Sequence, residues 1–320
     1  MTEITDYGLD PEVLAFIERT SAHYPEDAAT LDAAGQRRVY DAMCAAFDMP
    51  IPDGLDIRDG LVPGAGGLAD IPVRHYRPAE AQPDTLILYM HGGGFVVGGL
   101  HSHHSVCAEI CAAAACDLVS VDYRLAPEFT HPAQFDDCLA AFRFFAATYS
   151  RIIVAGDSAG ANLSAALCMA TLKDENKPVG AVLIYPALGG DQFDLPSYTE
   201  MANAPMLTTE DMHLYHRLWH GGPQIKGDVF SAPLCATDFD GHPPTAIFSA
   251  AIDPLCDDGA AYAQQLNAAG VEVACHTEDG LVHGYLRARA MSRKAAASFT
   301  RICAAAKALV DGADMPPTAA

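Results

Sequence analysis

The chain has 320 residues, is 50% hydrophobic and carries a formal net charge of -22. This composition is sufficient for a large hydrophobic core, whereas so acidic a surface repels phosphate backbones and anionic membranes, so neither nucleic acid nor a membrane is expected as a partner. The 10 cysteines are scattered without a C-x-x-C pair, which favours buried, reduced thiols and a cytoplasmic protein.

The N-terminal part of the chain predicts two helices. Asp10 followed by Pro11 is typical of a helix N-cap and first turn, and a second helix is expected from Leu31 to Phe47. No basic segment followed by a long apolar one stands at the start, so no secretory signal is predicted. Two strand-like runs then flank the glycine-rich stretch "PGAGG", which predicts a β-hairpin.

From Thr85 onward, apolar strands alternate with helices. The predicted strands are "TLILYMH", "DLVSVDY", "RIIVAGD", "VGAVLIYP", "PTAIFSAAID" and "VEVACHTE", and the predicted helices cover residues 134–148, 159–172 and 258–269. Continuous apolar strands that alternate with helices are typical of a mostly parallel sheet covered on both faces. The interval between the fourth and fifth of these strands is too long for a plain connection, so we expect it to fold over something.

The stretch "IIVAGDSAGANL" places Ser158 between a predicted strand and a predicted helix. This is the context of a G-x-S-x-G nucleophile elbow, in which the serine occupies a sharp turn at a helix N-terminus, where free N–H groups favour negative charge. Gly156 and Gly160 leave room for such a turn. An ordinary glycine-rich turn between strand and helix is the alternative interpretation.

A serine hydroxyl needs a base, and the hydrolase order Ser…Asp…His directs the search downstream. Asp253 ends the next-to-last predicted strand, and His283 follows the last one in the loop "DGLVHGYL". Open α/β sheets place their sites at such carboxyl ends of strands. We therefore predict that His283 takes the serine proton and that Asp253 orients its imidazole. Of the rival residues, Asp257 and Asp258 are better explained as helix caps, and His276 should point at a face of the sheet.

The glycine run in "YMHGGGFVVGG" follows a predicted strand. An H-G-G-G stretch before the first large helix is typical of the oxyanion hole of lipases and esterases, so Gly93, Gly94 and Ala159 are the predicted N–H donors. A phosphate-binding loop is disfavoured because G-K-[ST] is absent and the chain is acidic. The stretch "HSHHS" could hold a metal ion, but neither cysteine nor carboxylate stands at ligand spacing beside it, so no metal and no other cofactor is predicted.

Taken together, these stretches resemble the hormone-sensitive-lipase-like carboxylesterases, bacterial family IV of the α/β-hydrolase fold. The matching motifs occur in the family's order and are "HGGGF", "DYRLAPE", "GDSAG", "DPLCD" and "HGY". The resemblance implies an α/β-hydrolase fold with a mostly parallel central sheet, helices on both faces and a helical cap. It also implies that Arg124 and Glu128 form a structural charge pair, and that a homodimer can form through an edge of the sheet.

Two positions depart from the family's pattern. Ala161 stands where the family usually has a second glycine, with little expected consequence, and Tyr285 replaces the commoner phenylalanine and adds a hydroxyl near the catalytic loop. On the resemblance, residues 1–50 supply N-terminal helices to the cap, residues 51–320 form the catalytic domain, and the cap insertion covers about 189–228.

The expected function is that of a serine carboxylesterase, which hydrolyses short- to medium-chain acyl esters of small molecules through an acyl-enzyme. Hydrolysis of amides or lactones on the same triad is one alternative. A non-catalytic receptor is the other, because the plant gibberellin receptors resemble this family but lack the catalytic histidine. The presence of His283 disfavours the receptor.

Overall fold

The computed structural model describes residues 7–26, 28 and 31–315. Parts of the predicted domains, namely residues 1–6, 27, 29 and 30 of the N-terminal segment and residues 316–320 of the catalytic domain, lie outside the described residues.

Two helices precede the sheet, as predicted. Helix α1 covers Pro11–Ser21, and the side chain of Asp10 caps it by accepting hydrogen bonds from two main-chain N–H groups of the first turn. Helix α2 covers Ala33–Ala46 and begins two residues later than expected, because Asp32 is its N-cap and accepts a hydrogen bond from the N–H of Gly35 at 2.7 Å.

Within the described residues, an eight-stranded sheet forms the centre of the molecule. Its strands are β1 (Leu55–Val62), β2 (Ile71–Pro78), β3 (Thr85–Met90), β4 (Asp117–Val121), β5 (Arg151–Asp157), β6 (Gly180–Ile184), β7 (Thr245–Ile252) and β8 (Val273–Val282), in the order β1-β2-β4-β3-β5-β6-β7-β8. The predicted hairpin is β1–β2, which is antiparallel and joins the sheet antiparallel to β4. All other neighbours are parallel, so the predicted fold class is confirmed.

Helices cover both faces of the sheet. They are α3 (His104–Ala114), α4 (Ala133–Ala146), α5 (Ala159–Ala170), α8 (Cys256–Ala268) and α9 (Arg293–Asp311), with α6 (Pro196–Glu200) and α7 (Thr209–His220) in the long insertion between β6 and β7. The side chains of strand β3 alternate between the two faces of the sheet, so each face needs its own layer of helices. Ile87 and Tyr89 belong to the core on the side of α3 and α9, whereas Leu86, Leu88 and Met90 belong to the core on the side of α4, α5 and α8.

The last strand is longer than predicted. Its pairing with β7 shifts register between Ala250 and Ile252, and Gly280 adopts a φ of 70° there, so that pairing resumes at Val282. A β-bulge of this kind re-aims the end of a strand. The residues expected to be a loop before His283 are therefore mostly strand, and His283 follows β8 directly.

The N-terminal helices and the insertion face each other across a cavity of about 560 Å³. Helix α7 separates this cavity from the core: Met212 and Trp219 are buried, while Leu214 and Tyr215 line the cavity. Among the helices of the described residues, none is both long and apolar enough to cross a membrane. All ten cysteines are free thiols, and Cys116 is buried just before β4, not on the helix that carries Cys107 and Cys111.

Candidate active site

Ser158 occupies the turn between β5 and α5 with φ 53° and ψ -117°. A positive φ is uncommon for any residue except glycine and persists only where the surrounding structure enforces it. Here the enforcing contact is with the end of β3: a Cβ on Gly156 would lie 2.5 Å from the carbonyl oxygen of Met90, and a Cβ on Gly160 would clash with the same oxygen. The two glycines are therefore required by the close approach of the main chain, as predicted for a nucleophile elbow.

The structure brings the three predicted side chains together at the carboxyl ends of β5, β7 and β8. Nε2 of His283 lies 3.0 Å from Oγ of Ser158. Nδ1 of the same ring lies 2.6 Å from Oδ2 of Asp253. Asp253 is fully buried, and its other oxygen accepts a hydrogen bond from the main-chain N–H of Leu255 at 2.9 Å. Within this chain of contacts, His283 can accept the serine proton while Asp253 fixes its tautomer.

The glycine loop (residues 91–98) approaches Ser158 from the end of β3. Gly93 and Gly94 have φ values of 131° and 58°, and a Cβ on Gly94 would meet the ring of Tyr215 at 2.6 Å. Side chains at these positions are thus excluded both by conformation and by space. Ala159 is the first residue of α5, where main-chain N–H groups lack helical partners. The predicted N–H donors therefore lie on the two segments that flank the serine.

Asp157, next to Ser158, belongs to the candidate site, although the sequence pattern alone did not predict a role for it. It is buried; its Oδ1 accepts a hydrogen bond from the N–H of Gly92 at 2.9 Å, and its Oδ2 lies 3.2 Å from Nε2 of His103 and 3.3 Å from the hydroxyl of Tyr185. Burial alone would raise the pKa of Asp157, but the charges of His103 and Arg287 and the donated hydrogen bonds outweigh it and hold the pKa well below its usual range. The sequence signal for Asp157 was its position directly before Ser158 in the motif "GDSAG". The spacing of the predicted triad residues assigns no role to that position.

The expectation that Asp257 and Asp258 cap a helix is wrong. The N-cap of α8 is Leu255, which has no capping side chain. Asp257 accepts a hydrogen bond from the N–H of Ser197 at 2.9 Å, and the buried Asp258 accepts from the hydroxyl of Tyr198 at 2.7 Å and from two main-chain N–H groups after β6. Both carboxylates face the insertion instead of their own helix, so they tie it to α8.

The expected charge pair between Arg124 and Glu128 is also wrong. Arg124 pairs with Asp137 of α4 at 2.8 Å, and Glu128 pairs with Arg37 of α2 at 2.6 Å. Each of these side chains pairs with a residue of a different helix instead. In both pairs a guanidinium makes two hydrogen bonds to a carboxylate, which is a favourable geometry for arginine.

Three other residues discussed from sequence lie away from the reacting groups. His276 is in β8 and stacks on Phe248 at 4.9 Å between ring centroids. The hydroxyl of Tyr285 accepts a hydrogen bond from Ser298 of α9 at 2.8 Å, so it points away from His283. Ala161 lies inside α5 and is fully buried, without a positive φ.

The histidines of "HSHHS" have protein partners. Nε2 of His101 lies 2.7 Å from Asp41, and Nδ1 of His104 lies 2.9 Å from the hydroxyl of Tyr76, while His103 belongs to the environment of Asp157. In the part of the chain that the structure describes, no group of three His, Cys, Asp or Glu side chains could hold a metal ion.

The chain is similar to known α/β hydrolases and esterases. A family model described as alpha/beta hydrolase fold matches residues 87–287. Carboxylesterase NlhH of Mycobacterium tuberculosis is 40% identical over 256 residues, which cover 76% of this chain and 80% of that protein. A structure described as bacterial heroin esterase matches with a TM-score of 0.85 at 30% identity and covers 96% of this chain and 99% of that one. An esterase described as a member of the bacterial hormone-sensitive lipase family matches with a TM-score of 0.82 at 28% identity over 94% of this chain and 99% of that one.

Proposed function

Because this chain belongs to the alpha/beta hydrolase fold family, among its hormone-sensitive-lipase-like esterases, and is a serine carboxylic ester hydrolase, we propose that Ser158, His283 and Asp253 are its catalytic triad. One observation carries this assignment: the His283 ring bridges the other two side chains, with contacts of 3.0 Å to Ser158 and 2.6 Å to Asp253. No other candidate acid or base identified in the sequence contacts Ser158.

In the first half of the reaction, Oγ of Ser158 attacks the ester carbonyl carbon and its proton passes to Nε2 of His283. The carbonyl oxygen becomes an oxyanion, which accepts hydrogen bonds from the N–H groups of Gly93, Gly94 and Ala159. When the tetrahedral intermediate collapses, the bond to the alcohol oxygen breaks, and His283 gives its proton to that oxygen. The alcohol leaves, and the acyl group remains on the serine.

In the second half, a water molecule attacks the acyl-enzyme carbonyl and gives a proton to His283. A second oxyanion forms in the same place. Its collapse breaks the bond to Oγ, which recovers the proton from His283, and a carboxylic acid is released. Asp253 keeps the imidazole oriented and stabilises the imidazolium in both halves. The reaction written in this way uses only groups of the protein, the ester and water.

The proposed substrate is an ester of a small molecule with a short- to medium-chain acyl group. The N-terminal helices of residues 1–50 and the insertion of about 189–228 act as a cap over the catalytic domain of residues 51–320. In support, the cavity between these segments is lined by Val97 of the glycine loop and by Tyr215, whose ring packs against Gly94. We expect this cavity of about 560 Å³ to limit the length of an acyl chain.

A fluorophosphonate probe tests the triad, because only an activated serine displaces its fluoride. We expect stoichiometric labelling at Ser158 by peptide mass spectrometry and hydrolysis of p-nitrophenyl butyrate. Ser158→Ala should abolish both while its circular dichroism spectrum stays that of the parent. Labelling at another serine, or turnover that survives Ser158→Ala, contradicts the proposal.

Amide or lactone hydrolysis and a receptor role, the alternatives left open by the sequence, are not favoured by the esterase relatives. A cytoplasmic location and a homodimer complete the proposal. Ten free cysteines support the former, and the outer edge of β8, the last strand of the described sheet, offers a surface for the latter. Equilibrium sedimentation of the purified chain decides between monomer and dimer.

A further inference from the structure

Arg37 of helix α2 reaches from the N-terminal helices into the catalytic domain. Its Nε donates a hydrogen bond to the carbonyl oxygen of Val96 at 2.8 Å, and its Nη2 donates one to the carbonyl oxygen of Ala126 at 2.9 Å. Val96 belongs to the glycine loop. Ala126 supports the same loop, because its N–H donates to the carbonyl oxygen of Phe95 at 2.9 Å. A single guanidinium thus holds two neighbouring segments at the point where the loop turns.

The hydrogen bond from Arg37 to Val96 affects the direction in which the N–H of Gly94 points. The N–H groups of Val96 and Val97 both donate to the carbonyl oxygen of Gly93 at 3.0 Å. That carbonyl and the N–H of Gly94 belong to one planar trans peptide unit and point in opposite directions. Any shift of Val96 therefore rotates the Gly93–Gly94 peptide and swings the N–H of Gly94 away from its target.

The remaining contacts of Arg37 matter less for this geometry. Both Nη atoms bond the carboxylate of Glu128 at 2.9 and 2.6 Å, but the Glu128 side chain is 51% exposed. An ion pair so open to water is weakened by solvent and salt. The Arg37 side chain is 25% exposed, and its bonds to carbonyl oxygens are directed inward.

Helix α7 also packs against the loop. The ring of Tyr215 packs on Gly94, and the ring of Trp219, one turn later, stacks on Phe95 with centroids 3.5 Å apart. The glycine loop thus contacts an arginine of α2 and two aromatic rings of α7. Arg37 and α7 therefore both restrain the loop.

We propose that Arg37 is a positioning residue that aims the N–H of Gly94 at the developing oxyanion. The inference rests on the proposed function, in which Gly94 is one of the oxyanion donors. A positioning role acts on the transition state more than on the bound ester, because the negative charge develops only as the serine attacks. Its loss should lower kcat and leave KM nearly unchanged.

The test compares three variants with p-nitrophenyl butyrate at a temperature well below each unfolding transition. Arg37→Met removes every hydrogen bond while keeping an unbranched side chain that reaches the position of the arginine Nε. We expect kcat to fall about 10- to 100-fold, since misplacing one oxyanion donor costs less than deleting it, with KM within about twofold. Arg37→Lys keeps one donor and should recover part of the loss. Glu128→Gln keeps both bonds to carbonyl oxygens and should stay within about twofold of the parent.

An alkylboronic acid supplies a second readout, because its tetrahedral adduct on serine imitates the transition state. Its affinity should fall in Arg37→Met by the same factor as kcat/KM. An unchanged kcat in Arg37→Met, or an equal loss in Glu128→Gln, overturns the inference in favour of a purely structural ion pair. If Arg37→Met does not fold, an unchanged kcat in Arg37→Lys overturns it in the same way.

Labelling by the fluorophosphonate probe separates this inference from the proposed function. Full labelling of Ser158 in the parent and in Arg37→Met, at a lower rate in the variant, supports both. Equal rates overturn the inference alone. A parent protein that is not labelled at Ser158 overturns the proposed function and the inference with it.

Discussion

The Oδ1 atom of Asp157 accepts a hydrogen bond from the main-chain N–H of Gly92 at 2.9 Å. This bond joins the residue before the proposed nucleophile to the residue before the two glycines of the proposed oxyanion hole. Because Asp157 is buried, solvent does not compete with this hydrogen bond. This hydrogen bond therefore helps to fix the spacing between Ser158 and the glycine loop.

Asp157→Asn should both destabilise the protein and slow the reaction. The amide can still accept from Gly92, but its NH₂ group would face Nε2 of His103, and the charge of Arg287 would lose its buried counterpart. We expect the free energy of unfolding to fall by about 3–5 kcal/mol, as when a buried charge loses its partner. Urea titration followed by fluorescence measures it.

The matched control is Asp56→Asn. Asp56 lies on the edge strand β1 and pairs with Arg58, where both side chains are more than half exposed. Such a pair contributes little, so the urea midpoint should barely move. If the two variants were equally stable, the charge balance described for Asp157 would be incorrect.

Asp253→Asn should reduce kcat by about 10⁴-fold, because an amide stabilises the wrong tautomer of the histidine. Steady-state kinetics with p-nitrophenyl butyrate measures the loss. Asp257→Asn is the control, since Asp257 bonds the main chain at Ser197 and not His283. Near-normal activity in Asp253→Asn together with a large loss in Asp257→Asn would show that the acid has been misassigned.

Asp258 predicts a pH dependence of stability. Burial raises its pKa to about 6, in spite of hydrogen bonds from Tyr198 and two main-chain N–H groups that lower it. The folded protein therefore holds this proton more tightly than the unfolded chain, whose aspartates titrate near ~3.9. The stability contributed by the protonated group is fully present below about pH 4 and is lost as the pH rises through about 6.

Asp258→Asn should remove this dependence, because an amide can retain the same partners without a charge. Relative to the variant, the parent should lose about 2 kcal/mol in free energy of unfolding between pH 4 and pH 7, which is most of the full effect at about 1.4 kcal/mol for each unit of pKa. Urea titrations at both pH values measure the difference. Asp279→Asn, at a side chain that is 98% exposed, should keep the parent's behaviour. A constant difference between parent and Asp258→Asn contradicts the assignment.

The length of the acyl chain should decide the rate. We expect kcat/KM to rise from acetyl to about butyryl or hexanoyl, since each buried CH₂ contributes ~0.8 kcal/mol, and to fall steeply by lauroyl when the chain meets the wall. Leu214→Ala, on the cavity side of α7, should shift the optimum to longer chains. Arg217→Ala, exposed on the same helix, should leave it in place. A rate that keeps climbing from C12 to C16, especially on emulsified triglyceride, would indicate an open interface in place of a roofed cavity.

Treatment with EDTA should leave hydrolysis of p-nitrophenyl butyrate unchanged, because His101, His103 and His104 are engaged by protein groups. Loss of activity on chelation that zinc restores would instead support a metal site in this stretch.

Local sequence was sufficient wherever a short motif dictates its own geometry. The elbow at Ser158 and the glycine loop follow from a main chain that tolerates no side chain, and the order of Ser158, Asp253 and His283 follows from strands that end at one edge. The elbow and the glycine loop need only the residues on either side, whereas the positions of Asp253 and His283 also need the hydrolase order of the motif.

Pairs of side chains that are far apart in the sequence could not be predicted in this way. Glu128 was assigned to Arg124, four positions away, but its partner Arg37 is 91 positions distant on α2. The carboxylate of Asp258 stands where a cap is expected and instead binds Tyr198, 60 positions away. Proximity in sequence favours the wrong partner in both cases, since the right one depends on where the insertion and the N-terminal helices settle.

The glycine loop contacts both Arg37 of α2 and Tyr215 of α7, which are far apart in the sequence. Specificity is therefore not a separable module in this enzyme. A chimera that imports a relative's insertion to change the substrate would leave the host's α2 matched to a loop whose other neighbour is foreign. Active chimeras should therefore take both α2 and the insertion from one parent. Chimeras that take them from different parents should more often be folded but inactive.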